Sequence, residues 1–414
     1  MLVDGDTGMP LFYPNVYITS IIRGKGDQAA TMEAQLRAIK FLYIWGVKHD
    51  IDIDARFQEG DFLRVYEVET LAADARIHAS KLLADTKVQA DVATKSKVTN
   101  LNSYKKNRSK IKHIETVSGA TAGVRFRYIR DYLEWLAIHR TGRLSRSTLK
   151  YTALVHASNE MKKAFNSRIP KQGHQNDLYR KLGLTLEDQE KLLEAVDPKN
   201  ENNPWKDIRI RYRNQLFINM LISLGIRKGE ALGIRTEDIN LQTNKITIHR
   251  TPNDQFDKRY HQPQTKTKAR VLPLGKTLVR LCEEYIFKYR YKDLPSVRKD
   301  NHFLFVETKK GRELSIAAAN DIFKFIRFRN PDIQKDLSAH ILRHTWNDRF
   351  SERADELIKS GEWTAEHERK ARCEMMGWVI DSDMAWHYSR RHIIEQANKV
   401  ELSLQESIIG KKDK

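Results

Sequence analysis

The apolar residues of this chain follow different spacings in its two halves. In the first half they recur at helical spacing, as in Leu36, Ile39 and Leu42 and again from Tyr128 to Leu136. In the second half, helical stretches alternate with short runs that are typical of strands. The pattern predicts an α+β protein, with an all-helical N-terminal region and a C-terminal mixed α/β domain that contains a small antiparallel sheet.

The spacing changes where Pro170 and Gly183 interrupt the helical pattern. Just beyond this point, Thr185 and Asp188 form a capping signal for a new helix that would run from Leu186 to Ala195. We therefore expect three parts: a helical region over residues 1–94, a basic linker with a second helical domain over residues 95–182, and a mixed domain with a C-terminal tail over residues 183–414.

The mixed domain has its own order of predicted elements. Residues 208–224 predict a buried helix that stops at Gly225, and the next stretch begins a short helix with Arg227 near its start. KITIHR and RVLPL predict two strands, joined by a turn that carries Lys266 and Lys268. Three further predictions are a strand in HFLFVET, a helix over Ile316–Arg329 and an added helix within residues 351–373.

The balance of charge narrows the class of partner. Lys and Arg number 73 against 54 for Asp and Glu, which leaves a net charge of +19 at pH 7. A surplus of this size favours a polyanion partner, because binding releases condensed counterions. Ribosomal binding, membrane-surface binding or a merely soluble basic protein would give the same charge.

The cysteines and the start of the chain bear on its compartment. Cys282 and Cys373 are too few and too isolated for a disulfide framework or a zinc site, which favours a reducing compartment. The first residues lack the pattern of a signal peptide, and no apolar run reaches the roughly 18 residues of a membrane span. We therefore expect a cytoplasmic protein with no membrane partner.

The densest positive charge lies between residues 95 and 112, where seven cations occur without an acidic residue. Ser, Asn and Tyr donors are interleaved with the charges, which favours a segment lying on DNA phosphates; a solvated linker is the alternative. The basic character continues into the next helical stretch. The candidate DNA-binding residues are Lys95, Lys97, Lys105, Lys106, Arg108, Lys110, Lys112, Arg125, Arg127, Arg143 and Arg146.

The mixed domain also contains residue types suited to cutting a phosphodiester. Such a reaction needs a nucleophile, cations that hold the non-bridging oxygens, and a proton donor for the leaving oxygen. Planar arginines suit the second task, and lysine or histidine suits the third. The candidates, in chain order, are Arg227, Lys266, Lys268, His340, Arg343 and Tyr388. This chemistry requires no metal and no other cofactor.

Helical spacing places His340, Arg343 and His344 on one face of a helix, where His340 and Arg343 can serve one phosphate. The two histidines, four residues apart, could instead hold a metal, but no glutamate follows the first and no third ligand is apparent. A third reading is that both histidines satisfy backbone groups.

Four strings occur in the order of the signature boxes of one family: LISLGIRKGEALGI, TKTKARVLPLG, SAHILRHTWNDRF and MMGWVIDSDMAWHYSRRH. Together they resemble the tyrosine recombinase (phage integrase) family over residues 184–392. The resemblance implies that residues 183–414 form the catalytic domain and that residues 95–182 include a helical core-binding domain. The first hundred residues match no motif.

The resemblance also implies a role for each matched residue. Arg227, with Glu230 in support, and the pair His340 and Arg343 would bind the phosphate. Lys266 would be the mobile lysine of the hairpin, with Lys268 as its substitute. Tyr388 would be the nucleophile. Trp378 would bond the phosphate through its indole N–H and pack the helix that carries the nucleophile; simple packing is the alternative.

The activity implied by the resemblance is site-specific recombination of double-stranded DNA by the integrase of a mobile element. The expected path is a 3′-phosphotyrosyl intermediate and a Holliday junction, formed by a homo-tetramer on two duplexes, with DNA-bending accessory proteins as candidate partners. The tail after Tyr388 would dock on a neighbouring protomer or cap its own domain. A type IB topoisomerase and a non-catalytic DNA-binding regulator of the same fold are the alternatives.

Overall fold

The computed structural model describes residues 1–25, 29–82, 116–169, 183–251, 254–265, 267–292, 301–379, 397–398 and 400–407. The chain divides into two compact units, residues 1–179 and 180–414. The predicted division into residues 1–94, 95–182 and 183–414 stays a prediction. The predicted α+β class is confirmed, because the described strands form one small sheet among many helices.

The described part of the first unit is helical. Its helices are α1 (Phe12–Val16), a π-helical turn (Tyr17–Ile22), α2 (Ala29–Lys48), α3 (Ile53–Glu59), α4 (Val65–Asp74), α5 (Gly119–Thr141) and α6 (Leu149–Arg168). The predicted apolar stripes meet in one core, where Leu42 of α2 and Leu133 of α5 are fully buried. Because α2 precedes and α5 follows residues 83–115, helices on both sides of that segment stabilise the same core.

The described part of the second unit contains helices and three short strands. These are α7 (Leu186–Ala195), α8 (Ile208–Leu224), α9 (Lys228–Gly233), β1 (Ile239–Asn240), β2 (Lys245–Ile248), β3 (Arg270–Pro273), α10 (Lys276–Glu284), a π-helical turn (Tyr285–Tyr289), α11 (Ile316–Arg329), α12 (Ala339–Lys359) and α13 (Ala365–Met376).

Local signals set the ends of several of these helices. The Thr185 hydroxyl accepts the backbone N–H of Asp188 at 3.1 Å, which caps α7 as predicted. Helix α8 ends at Gly225, whose φ of 61° lies in the left-handed region that favours glycine. The predicted bounds of α7, α8 and α11 are confirmed.

The sheet is antiparallel, with the order β1, β2, β3. Ile246 of β2 lies opposite Leu272 of β3, and both side chains are buried in the core of the second unit. Along β3 the burial alternates, so that Arg270 shares the inward face with Leu272 while Val271 is exposed. A charged residue is therefore held on the buried face of the sheet.

The strand predicted in HFLFVET is wrong. Residues 302–308 form no strand, because successive residues bond to different segments rather than to one neighbour. The Leu304 N–H donates to the Ile234 carbonyl, whereas Phe305 and Glu307 bond to the segment around Arg312. The run is apolar because Phe303 to Val306 are all buried.

The added helix predicted within residues 351–373 is confirmed in part. Helix α12 continues as far as Lys359, and α13 follows after a short turn. Arg372 of α13 is 1% exposed and donates to the carbonyl of Asn347 and to the hydroxyl of Ser351, which fixes α13 on α12. Among the helices that the structure describes, none is long and apolar enough to cross a membrane.

Candidate active site

Arg227 lies at the start of α9, as predicted. Its backbone N–H donates to the carboxylate of Glu230 at 2.8 Å, so Glu230 closes the first turn of the helix. One guanidinium nitrogen of Arg227 lies 3.7 Å from the same carboxylate, and 32% of the side chain is exposed. Arg227 therefore presents a solvent-accessible cation beside a buried anion.

The carboxylate of Glu230 is fully buried and accepts hydrogen bonds from three segments. Its donors are the guanidinium of Arg270 at 2.9 Å, the hydroxyl of Thr267 and the backbone N–H of Arg227. Burial alone would raise the pKa of Glu230, but these donors hold the pKa of the carboxyl below its ordinary value. Glu230 is thus an ionised anchor for the segment that carries Arg227.

The turn before β3 is fixed to the end of α13. The Lys268 backbone N–H donates to the Gly377 carbonyl at 3.0 Å, while the Lys268 side chain is exposed. Gly377 has a φ of +65°, and a Cβ there would lie 2.8 Å from the Lys268 carbonyl oxygen. The close contact therefore requires glycine. Lys266, the preferred hairpin lysine, lies outside the described residues.

Arg343 is buried, in contrast to Arg227, with 4% of its surface exposed. Its Nη1 donates to the Gly225 carbonyl at 2.5 Å, and its guanidinium carbon lies 5.3 Å from the centre of the Trp378 ring. Gly225 comes two residues before Arg227 in the chain. One hydrogen bond thus joins the segment that carries the first arginine to the helix that carries the second.

The two histidines of α12 are in contact with each other. His340 is exposed and His344 is half-buried, and their ring centres lie 4.4 Å apart in an edge-to-face arrangement. Arg343 lies on the same helix between them, as the spacing predicted. Within the part of the chain that the structure describes, no group of three or more His, Cys, Asp or Glu side chains is arranged to hold a metal ion.

Trp378 follows Gly377 directly and is 7% exposed. Its ring packs with Cys373 and Met376, and the cation of Arg343 lies over it. The structure thus shows Trp378 packed against the end of α13 and against Arg343. Packing against the helix that carries the nucleophile stays a prediction. A bond from the Trp378 indole N–H to a phosphate also stays a prediction.

Several predicted residues lie where the structure gives no description. Tyr388 and the seven cations from Lys95 to Lys112 belong to this group, so their roles stay predictions. Arg125 is described, and it contacts its own unit: its Nη1 donates to the carbonyls of Ala75 and Ile77, each at 2.8 Å.

The other basic residues of α5 and the following turn differ in exposure. Arg127 is half-buried, whereas Arg143 and Arg146 are exposed. Exposed arginines can reach a phosphate, but binding of DNA by these residues, and by Arg125, stays a prediction.

Sequence reasoning missed Arg270. Its Nε donates to the Met375 carbonyl at 2.7 Å, while its other nitrogens bond Glu230, so it joins the sheet, α9 and the end of α13. The sequence did indicate that Arg270 is buried, because it lies two residues before the buried Leu272 in a strand and therefore on the same face. The alternation could not show, however, that its partner is Glu230.

Comparison with known proteins gives this arrangement a context. Residues 184–357 match the phage integrase family. The tyrosine recombinase XerD of Listeria innocua is 27% identical over 175 residues, which are 42% of this chain and 50% of the relative. Transposase A from transposon Tn554 of Staphylococcus aureus is 28% identical over 153 residues, which are 36% of this chain and 37% of the relative.

A third relative is the tyrosine recombinase XerA of Pyrococcus horikoshii, 23% identical over 237 residues, or 55% of this chain and 68% of the relative. Among solved structures, XerH bound to a palindromic difH substrate has 17% identity and a TM-score of 0.40, with 84% of this chain and 95% of that chain covered. The matched region spans about half the length of the XerD relative.

The structure is that of a two-unit α+β protein whose second unit contains a small antiparallel sheet and joins the segments of Arg227 and Arg343 by a hydrogen bond. Over residues 184–357, the chain is similar to the phage integrase family, and it is similar there to tyrosine recombinases.

Proposed function

We propose that the chain is a site-specific recombinase that cuts and rejoins double-stranded DNA through a covalent bond to Tyr388. The observation that carries the proposal is the bond from Arg343 to the Gly225 carbonyl, because it brings the segments of both arginines together. Two guanidinium groups held on neighbouring segments suit the non-bridging oxygens of one phosphate.

The reaction is a transesterification. The Tyr388 oxygen attacks the scissile phosphorus in line, a phosphorus–oxygen bond to tyrosine forms, and the bond to the 5′ oxygen breaks. The products are a 3′-phosphotyrosine and a free 5′-hydroxyl. Because one phosphodiester replaces another, the step needs no ATP, and the reverse attack by a 5′-hydroxyl rejoins the strand.

We assign each of the two proton transfers to a side chain. His340, exposed on α12, accepts the proton of the tyrosine hydroxyl or holds the phosphate, and Lys266 protonates the leaving 5′ oxygen. A free tyrosine ionises near pH 10, so attack at neutral pH depends on nearby cations that stabilise the phenolate. Arg227 and Arg343 supply this charge and offset the charge of the pentavalent transition state.

The exchange of strands between two duplexes requires more than one protomer. We assign a homo-tetramer on two sites and a Holliday-junction intermediate to this protein, as the family mechanism implies. The similarity to a transposase named for transposon Tn554 supports a role in moving a mobile element. DNA-bending accessory proteins are candidate partners.

The test replaces Tyr388 with phenylalanine and uses a DNA substrate nicked near the crossover point, which traps the covalent product. Tyr388→Phe removes only the nucleophilic oxygen, so covalent attachment on a denaturing gel should vanish while DNA binding stays nearly intact. Tyr260→Phe is the matched control, because Tyr260 is a 93% exposed tyrosine of the same unit, and it should keep attachment. A persistent adduct with Tyr388→Phe would refute the assignment.

A second assay separates recombination from the alternatives. A recombinase should exchange strands between two duplexes that carry its sites, whereas a topoisomerase relaxes supercoiled plasmid without such sites. Binding without any covalent product from the wild-type protein would identify a non-catalytic regulator.

A further inference from the structure

The inference concerns the buried ion pair of Arg270 and Glu230. The side chain of Arg270 is 2% exposed and that of Glu230 is fully buried. Two guanidinium nitrogens of Arg270 donate to the two carboxylate oxygens at 2.9 and 3.3 Å. The parallel geometry is the strongest form of such a pair, and it neutralises a carboxylate that burial would otherwise make very costly.

The pair of Arg270 and Glu230 contacts the segments that carry Arg227, the residue next to Lys266, and Trp378. Glu230 accepts from the backbone of Arg227, and Thr267, next to Lys266 in the chain, donates to the same carboxylate. The Nε of Arg270 donates to the Met375 carbonyl at 2.7 Å, shortly before Trp378. One guanidinium thus connects the phosphate-binding helix, the lysine turn and the tryptophan segment.

The distances around Glu230 show which cation neutralises it. Arg270 lies at 2.9 Å, whereas the nearest guanidinium nitrogen of Arg227 lies at 3.7 Å. Without Arg270, the buried carboxylate would lose its nearest cation and would attract Arg227 more strongly, because electrostatic attraction is weakly screened in the interior. Arg227 is 32% exposed and lies just beyond hydrogen-bond distance of Glu230, so a stronger attraction would draw it inward. This movement would remove its charge from the phosphate.

We propose that Arg270 is a positioning residue for DNA cleavage: by neutralising Glu230 and holding the Met375 carbonyl, it keeps Arg227 directed at the phosphate and the lysine turn fixed against the Trp378 segment. This inference rests on the proposed function. Arg270 itself touches no reacting atom, so its effect passes through Arg227 and the turn.

The contact between the lysine turn and Gly377 supports the same arrangement. The Lys268 N–H donates to the Gly377 carbonyl, and a Cβ on Gly377 would lie 3.0 Å from Nη1 of Arg270. The turn, the guanidinium and the end of α13 therefore fit together with no space for a further methyl group. A displacement of Arg270 would reach both the turn and the Trp378 segment.

The experiment measures single-turnover cleavage of the nicked substrate by Arg270→Met, Arg227→Ala and the double variant. Arg270→Met should lower the cleavage rate about 100-fold. The double variant should cleave at nearly the same rate as Arg227→Ala, since the loss of Arg270 acts mainly through Arg227. A merely structural role predicts instead that the two effects multiply, and that result would overturn the proposal.

A compensating variant tests the charge argument. Adding Glu230→Gln to Arg270→Met removes the unpaired carboxylate, so the rate should recover at least tenfold relative to Arg270→Met alone. Arg372→Met is the matched control, because Arg372 is also buried and paired with a carboxylate, but its partner is Glu368 on its own helix. Its effect should multiply independently with that of Arg227→Ala.

A crystal structure of Arg270→Met gives a readout that does not need cleavage. The distance from Arg227 to Glu230 should shorten from 3.7 Å to a direct hydrogen bond. An unchanged distance would overturn the inference even if the wild-type protein cleaves DNA. If the wild-type protein forms no covalent adduct with DNA, the proposed function fails. The distance from Arg227 to Glu230 in Arg270→Met still decides whether Arg270 holds Arg227 outward.

Discussion

Lysine substitutions at Arg343 and Arg227 should have the same effect on cleavage but different effects on stability. Arg343 is buried and bonds the Gly225 carbonyl, whereas Arg227 is partly exposed and lies 3.7 Å from its anion. In both variants a point charge replaces a planar fork that can offer two parallel N–H groups. We therefore expect each variant to lose about 100- to 1000-fold in cleavage rate.

The cost in stability follows from the contacts of each guanidinium. Arg343→Lys disturbs a bond to a buried carbonyl, which costs about 1–3 kcal/mol if the carbonyl is left unsatisfied. It also loses the planar contact with the Trp378 ring, for about 0.5–2 kcal/mol. The sum is about 1.5–5 kcal/mol. Arg227→Lys keeps its charge at a partly exposed position and should cost less than about 1 kcal/mol.

Hydrogen exchange followed by mass spectrometry suits this comparison, because it reports on each unit separately. In Arg343→Lys, peptides from α8 and α12 should exchange roughly 13- to 5000-fold faster, which corresponds to about 1.5–5 kcal/mol at 1.36 kcal/mol per tenfold. Peptides from α2 and α5, in the other unit, serve as the internal reference. Arg227→Lys should change the exchange of α8 and α12 less than about sixfold.

Two results would refute the reasoning. Wild-type protection of α8 and α12 in Arg343→Lys would show that the bond to Gly225 adds no stability. Nearly normal cleavage by either variant would show that the arginine concerned does not act on the phosphate in the transition state.

Three further predictions concern the lysine turn, the acid range and the basic segment. Lys266→Ala should lose cleavage of ordinary DNA and recover cleavage of a substrate with a 5′-bridging sulfur, because the sulfur leaves without protonation. If Lys268→Ala recovers instead, Lys268 is the general acid. Because the pKa of Glu230 is lowered in the folded state, the contribution of Glu230 to stability is present above the ordinary pKa of 4.5 and is lost as the pH falls through the lower folded-state pKa. Thermal unfolding of Glu230→Gln should therefore depend less on pH in this range than that of the wild type. The last change replaces four residues of the basic segment with glutamine: Lys105, Lys106, Arg108 and Lys110. This change should flatten the slope of log affinity against log salt by about three to four units and weaken binding to all DNA sequences alike. An unchanged slope would show that the segment is a solvated tether.

Much of the fold could be predicted from the sequence because its signals are local. The bounds of α7 and α8 depend on a capping hydroxyl at Thr185 and on a left-handed glycine at Gly225, and both act within one turn of the residues they cap. The strand predicted in HFLFVET failed because strand pairing depends on distant partners. Its residues bond to separate segments near Ile234 and Arg312, which the local pattern cannot specify.

The same distinction applies to the site. The sequence by itself determined the residue types for phosphoryl transfer, their order and the helical face shared by His340 and Arg343, since spacing along a helix fixes which side chains are neighbours. Only the tertiary structure decided that Arg343 bonds Gly225 and that Arg270 bonds Glu230, 40 residues away in the chain. These contacts form when separate elements pack together and a buried charge takes the nearest partner, so their energies depend on distances that arise only in the folded chain.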